Sequence, residues 1–90
     1  MVNSDANWAL AVSSRVHKFL AKIPRQHAEA LYIGIGFISV EPYKGDVRKI
    51  KGEKDTWRRR IGSYRVFYTI AQKTRSIIVF DIDRRTSNTY

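Results

Sequence analysis

The sequence predicts an α+β domain, with an N-terminal strand and a helical hairpin packed on a twisted, largely antiparallel sheet in the order β-α-α-β-β-β-β. Three observations lead there. Val16, Phe19, Leu20 and Ile23 fall at i, i+3, i+4 and i+7, the spacing of an amphipathic helix. From Thr56 to Asp83, β-branched and aromatic residues dominate. Gly62-Ser63 and Gln72-Lys73-Thr74-Arg75 supply turn chemistry that cuts this half into consecutive strands. A length of 90 residues suits one domain spanning 1–90, with a modest core.

Trp8 to Val12 reads as a short first strand, ending where Ser13 and Ser14 offer hydroxyls to cap a helix. The Val16 stripe then faces the core while Arg15, Lys18 and Lys22 face water. Pro24 removes a backbone donor and disfavours helical geometry at Ile23, so the first helix stops there and a second begins with Pro24 in its opening turn. Residues 25–30 are helical in composition, but 31–38 are rich in strand formers and contain Gly34 and Gly36, so propensity leaves helix and strand level there. As a helix, Ala28, Leu31, Ile35 and Ile38 make one stripe, and the glycines allow close approach of a neighbour.

Glu41-Pro42 opens a loop to about Asp46, and Val47 to Lys51 gives a charged strand, followed by a turn at Gly52-Glu53-Lys54-Asp55. In the next strand, Thr56 to Ile61, side chains alternate, so Arg58 and Arg60 share one face and Trp57, Arg59 and Ile61 the other. Tyr64 to Ala71 carries apolar groups on both faces and reads as an interior strand, with Tyr64, Val66, Tyr68 and Ile70 on one side and Arg65, Phe67, Thr69 and Ala71 on the other. Ser76 to Asp83 is the last strand; strict alternation puts Ile78, Phe80 and Ile82 on the face that continues to Arg84.

The charge is uneven. Net charge is +9, and between Lys44 and Arg75 there are 11 basic residues against 3 acidic ones. One-sided clustering is poor design for solubility alone, and it fits a phosphate-binding surface or an acidic protein partner. Guanidinium groups held side by side repel, and a polyanion laid across them offsets that cost. The absence of cysteine excludes disulfides, thiolate nucleophiles and cysteine zinc sites. The N-terminal residues lack the order of a signal peptide and the longest apolar-rich run, 30–40, is too short for a bilayer, so a soluble cytoplasmic protein with no membrane association is expected.

No cofactor or metal constellation is visible. His17 and His27 sit among charged helix positions and are expected to be solvated. What remains is arginine with tyrosine: Arg58, Arg60, Arg65 and Arg84, with Tyr64, Tyr68 and Tyr90. Forked guanidinium donors bind phosphate oxygens bidentately and oppose charge growing on phosphorus, while aromatic rings stack on unpaired bases. Tyr64 and Tyr68 are equally well read as sheet core; Tyr90, after the polar Thr86-Ser87-Asn88-Thr89, has little reason to be buried.

Two segments resemble the RelE/ParE toxin superfamily of toxin–antitoxin pairs. Trp57-Arg58-Arg59-Arg60-Ile61-Gly62-Ser63-Tyr64-Arg65-Val66-Phe67-Tyr68 is similar to that family's basic-x-basic-apolar-Gly-x-Tyr-Arg-apolar-x-Tyr segment, and Arg84-Arg85-Thr86-Ser87-Asn88-Thr89-Tyr90 to its closing Arg-to-Tyr segment. The resemblance implies a toxin of a type II system, and for the RelE branch a metal-independent, ribosome-dependent mRNA endonuclease (an mRNA interferase) that inhibits translation. Arg65 would hold the scissile phosphate, Arg84 would help neutralise it, Arg58 and Arg60 would steady it, and Tyr90 would stack on a base or move a proton. Lys44, Arg48, Lys49, Lys51, Lys54, Arg59 and Arg85 would contact RNA or ribosome. Arginine is a poor general base, so with Arg58 and Arg60 at positions that can be lysine, proton removal falls to Tyr90 or to no single residue. Asp83 directly precedes Arg84 and is placed to pair with it. The resemblance also implies a RelB-like antitoxin, acidic with an amphipathic helix, with the toxin alone a monomer. The alternatives are a ParE-like DNA gyrase inhibitor without nuclease activity, or a degenerate toxin that acts only as an antitoxin-binding corepressor.

Overall fold

A computed structural model describes residues 8–84. The elements follow the predicted order: β1 Ala9–Val12, α1 Ser14–Leu20, α2 Arg25–Ile38, β2 Val47–Lys49, β3 Thr56–Ile61, β4 Tyr64–Ala71 and β5 Ser76–Arg84. The strands form one sheet in the order β1-β5-β4-β3-β2, with β1 parallel to β5 and every other pairing antiparallel. This is the expected α+β architecture. Arg85 and Tyr90 lie outside the described residues.

Ser13 fixes how the chain turns from β1 into α1. Its side chain accepts from the Val16 amide at 3.4 Å, capping the helix, and donates to the Phe80 carbonyl at 3.2 Å, while its own amide donates to the Val79 carbonyl at 2.9 Å. One hydroxyl therefore ties the helix start to β5. The apolar stripe of α1 enters the core through Val16 and Leu20, both fully or nearly buried, and Pro24 stands at the N-cap of α2.

Residues 31–38 are helix, which settles the choice that propensity left open. Tertiary packing decides it: Leu31, Ile35 and Ile38 are buried in the core with β4 and β5. Gly34 has a packing reason, because a Cβ there would stand 2.5 Å from Cδ1 of Ile61 on β3. Gly36 meets no neighbour within 4 Å. The strand predicted over Val47 to Lys51 is shorter and ends at Lys49; past the Ile50 amide, which donates to Thr56, the chain turns through Gly52 at a φ of +85°.

The core lies on the helix side of the sheet. Tyr64, Val66, Tyr68 and Ile70 of β4 face it, as predicted, joined by Ile77, Val79 and Ile82 of β5. The last strand departs from strict alternation, because the β4–β5 register shifts between Phe67 and Tyr68, pairing Tyr68 with Val79 but Phe67 with Asp81. Phe80 is the extra residue of a bulge. Ile78 and Phe80 consequently stand on the opposite, open face, where they are exposed, and do not share a face with Ile82. No described element covers that face.

Candidate nucleic-acid interface on the open face of the sheet

The register sorts the open-face side chains into rows that cross the strands. Arg60 is opposite Arg65, and Arg65 is opposite Asp83. At the β2 end Arg60 donates its amide to the Asp46 carbonyl at 3.0 Å, and its Nε lies 3.9 Å from the Asp46 carboxylate. This first row therefore reads Asp46, Arg60, Arg65, Asp83. Two residues along the strands, Arg48 is opposite Arg58 and Arg58 opposite Phe67, which faces the bulge: its register partner is Asp81, and the Phe80 ring lies with its centroid 6.4 Å away. The second row reads Arg48, Arg58, Phe67 and, at the bulge, Phe80 with Asp81, whose carboxylate is ion-paired with Arg15.

The rows differ in charge. Arg65 donates from Nε and Nη2 to the two oxygens of Asp83 at 2.9 and 3.0 Å, a bidentate ion pair on a half-buried part of the sheet. Asp83 was expected to pair with its neighbour Arg84. Pleating prevents that, since successive side chains leave a strand on opposite faces, and Arg65 is the cross-strand partner on the same face. The first row is thus balanced, two arginines between two aspartates. In the second row Arg48 and Arg58 have no carboxylate partner among the described residues.

Arg84 does not join this face. It stands opposite Tyr64 in the register, and its guanidinium lies 5.7 Å from the centroid of the Tyr64 ring, which points into the helix side. The structure brings Arg58, Arg60 and Arg65 together and leaves Arg84 around the strand end. Arg59 also belongs to the other face: Nη1 donates to the Lys44 carbonyl at 2.6 Å and the guanidinium lies 5.2 Å from the Phe37 ring centroid. Arg59 clamps the loop before β2 to α2. Lys44, Arg48, Lys49, Lys51 and Lys54 are all exposed, along the loop, β2 and the following turn, so the basic stretch borders the open face at its β2 edge.

A family model described as the ParE toxin of the type II toxin–antitoxin system parDE matches residues 8–89. The chain belongs to this toxin family. Among solved structures, the toxin is similar to the archaeal RelE–RelB complex from Pyrococcus horikoshii, at 27% identity and a TM-score of 0.75, over 89% of this chain and 97% of that one. It is similar to RelBE2 from Mycobacterium tuberculosis, at 22% identity and 0.77, over 89% and 93%. The isolated RelE toxin of E. coli matches at 17% identity and 0.74, over 91% and 88%. The fold is that of the RelE toxins. No relative is found among curated protein sequences.

Two tyrosines of the toxin are core residues, and each has a polar anchor. Tyr68 is fully buried and donates to the Pro42 carbonyl at 2.7 Å; burial disfavours its phenolate and pushes its pKa up to about 12, against a smaller opposing effect of Arg59. The Tyr64 hydroxyl lies 2.8 Å from Nδ1 of His27. His27 is therefore half-buried and engaged, a correction to the expectation that it is solvated. A contact between residues 37 apart leaves no local sequence signal. His17 is exposed, with Tyr32 at 3.5 Å. Among the described residues no cluster of His, Asp or Glu is fit to hold a metal, and no helix is long and apolar enough to cross a membrane.

Proposed function

We propose that this toxin is a ribosome-dependent mRNA endonuclease acting by metal-independent transesterification. The observation that carries the reading is the convergence of Arg58, Arg60 and Arg65 on one face of the sheet, which no described element covers, with Arg60 directly opposite Arg65. Three guanidiniums on adjacent strands, held by backbone ladders, offer fixed donors to the oxygens of one phosphodiester and need no reorganisation as charge grows on phosphorus. The ribose 2′-hydroxyl attacks the adjacent phosphorus and the 5′-oxygen leaves, giving a cyclic phosphate and a free 5′-hydroxyl. Arg65 reaches that phosphate by exchanging the Asp83 carboxylate for a phosphate oxygen. Arginine does not take up the proton of the attacking hydroxyl at neutral pH. Tyr90 is assigned that step or base stacking, and Arg84 and Arg85 the approach of the following backbone.

The partners proposed are mRNA in the ribosomal A site and a cognate antitoxin. The solved relatives from P. horikoshii and M. tuberculosis are toxin–antitoxin complexes, which supports an acidic, RelB-like chain bound to the basic surface of this one in the cytoplasm. Primer extension on a defined mRNA, with the toxin alone, programmed ribosomes alone, and both, tests the reading. A new stop in the A-site codon appears only in the combined lane, and Arg65→Ala lowers it by about a hundredfold or more.

A second reading has a specific observation in its favour. Asp83 already occupies both forward donors of Arg65, and the matching family model is that of a ParE toxin. Inhibition of DNA gyrase without chemistry needs no open phosphate clamp. Absence of cleavage in every lane, with loss of gyrase supercoiling on adding the toxin, selects this alternative.

A further inference from the structure

The Phe67–Phe80 pair has no explanation in the core, for both rings stand on the open face and Phe80 is 38% exposed. A solvent-facing aromatic beside another one is ordinarily avoided in a soluble chain of this size unless it meets a partner. Phe80 continues the alternation of Ile78 onto the open face, and the bulge sets Phe80 and Asp81 together opposite Phe67. The pair has one acidic neighbour, Asp81, the register partner of Phe67, which is ion-paired with Arg15 at 3.3 Å, and its other charged neighbours are cationic. Arg58 is the cross-strand partner of Phe67, Arg48 continues the row, and the Arg65 guanidinium lies 5.9 Å from the Phe67 ring centroid.

We infer that Phe67 and Phe80 form a stacking platform for an unpaired nucleobase, whose flanking phosphates rest on Arg58 and Arg48. The occupant is a single-stranded nucleic acid. Adjacent strands are about 4.8 Å apart, so Arg58 and Phe80 stand roughly two strand spacings from one another across the row, the reach from a backbone phosphate to the base it carries. Arg48 and Arg58 lack carboxylate partners among the described residues, so phosphate binds there without displacing an ion pair, unlike at Arg65. An aromatic ring adds what charge alone lacks, a surface that tells a base-bearing strand from any other polyanion. The platform rests on the nuclease reading in so far as it lies beside the Arg60–Arg65 row, and it supplies that row with a positioning device. Phe80 orients the strand, and the chemistry stays with the arginines.

The test compares two probes on the full chain, a 2′-O-methyl RNA hexamer, which is not cleavable at the 2′ position, and the same backbone with abasic sites throughout, by fluorescence anisotropy up to millimolar protein. The intact chain binds the base-bearing probe about five- to a hundredfold more tightly than the abasic one. Phe80→Leu keeps apolar packing but removes the ring, and it abolishes that preference while leaving the abasic affinity and its salt slope unchanged; Phe80→Trp retains the preference. Equal binding of both probes by the intact chain, or a preference that survives Phe80→Leu, overturns the platform and marks the face as one that reads charge alone, as an acidic protein chain requires. Should Phe80→Leu lose both probes through misfolding, the Phe80→Trp chain decides: a kept preference upholds the platform, a lost one overturns it. Binding of neither probe by the intact chain also overturns it. The nuclease reading is judged separately, by the ribosome-dependent stop and its loss in Arg65→Ala.

Discussion

The two faces of β4 are made by alternate residues of a single strand, and they have opposite character. Tyr64, Val66, Tyr68 and Ile70 close against the helices, and the hydroxyls of both tyrosines end on protein partners. Arg65, Phe67 and Thr69 remain half-buried, with no covering element among the described residues. The closed face holds the strand in place, and that rigidity is what allows like charges to be held side by side on the other. Fixed guanidiniums are useful to a phosphate only if they do not relax away from one another when it is absent. Here the closed face and two aspartates at the ends of the first row prevent that relaxation.

The contrast is sharpest at neighbouring residues of β5. Ile77 is fully buried and Ile78 is half exposed. Ile77→Ala is expected to lower stability by about 2–5 kcal/mol, and Ile78→Ala by less than about 1 kcal/mol, in chemical denaturation. Equal losses would mean that the open face is covered in solution. The next largest effect is alkaline. Tyr68 has a folded pKa raised to about 12 from an ordinary value near 10, so the native state holds its proton longer. Its contribution is complete below pH 10 and is lost as pH rises through 12, a fall of about 2 to 3 kcal/mol. Denaturation of the parent chain and Tyr68→Phe across that window checks this, since the variant lacks the slope. The smallest effect belongs to the ion pair: Asp83→Asn is expected to cost about 1 kcal/mol of stability while raising the affinity for the cleavage-resistant RNA hexamer several-fold at low salt. Unchanged affinity would remove Arg65 from the phosphate contacts.

Much of this was legible in the residues. Gly62-Ser63 and the polar run at 72–75 marked both hairpins of the β3–β4–β5 meander, and period-two alternation placed Arg58, Arg60, Arg65 and Phe67 on their correct faces. Alternation failed past Phe80, where Ile82 turns to the core, because a bulge inserts a residue without changing the local composition. The Arg65–Asp83 pair was hidden for the same reason: which aspartate lies opposite an arginine depends on register, and the register shifts within β4–β5. In α2, Gly34 argued against helix on propensity, and only Ile61 across the interface explains why glycine stands there. The clamping role of Arg59 was similarly out of reach, for a basic residue in a basic run gives no sign that it folds back on Phe37 and the Lys44 carbonyl.

The parallel pairing of β1 with β5 has a consequence for synthesis. Ala9 to Val12 are synthesised before every other described element and find their hydrogen-bonding partners in Ser76 to Val79, on the last described strand. The meander of β3, β4 and β5 is local and can assemble by hairpin closure, but the first strand waits for β5. A nascent chain that stops before β5 has an unpaired leading strand, no Asp83 and no Phe80, so it has neither a closed core nor a finished open face. The sheet is therefore complete only once β5 is available to both β1 and β4.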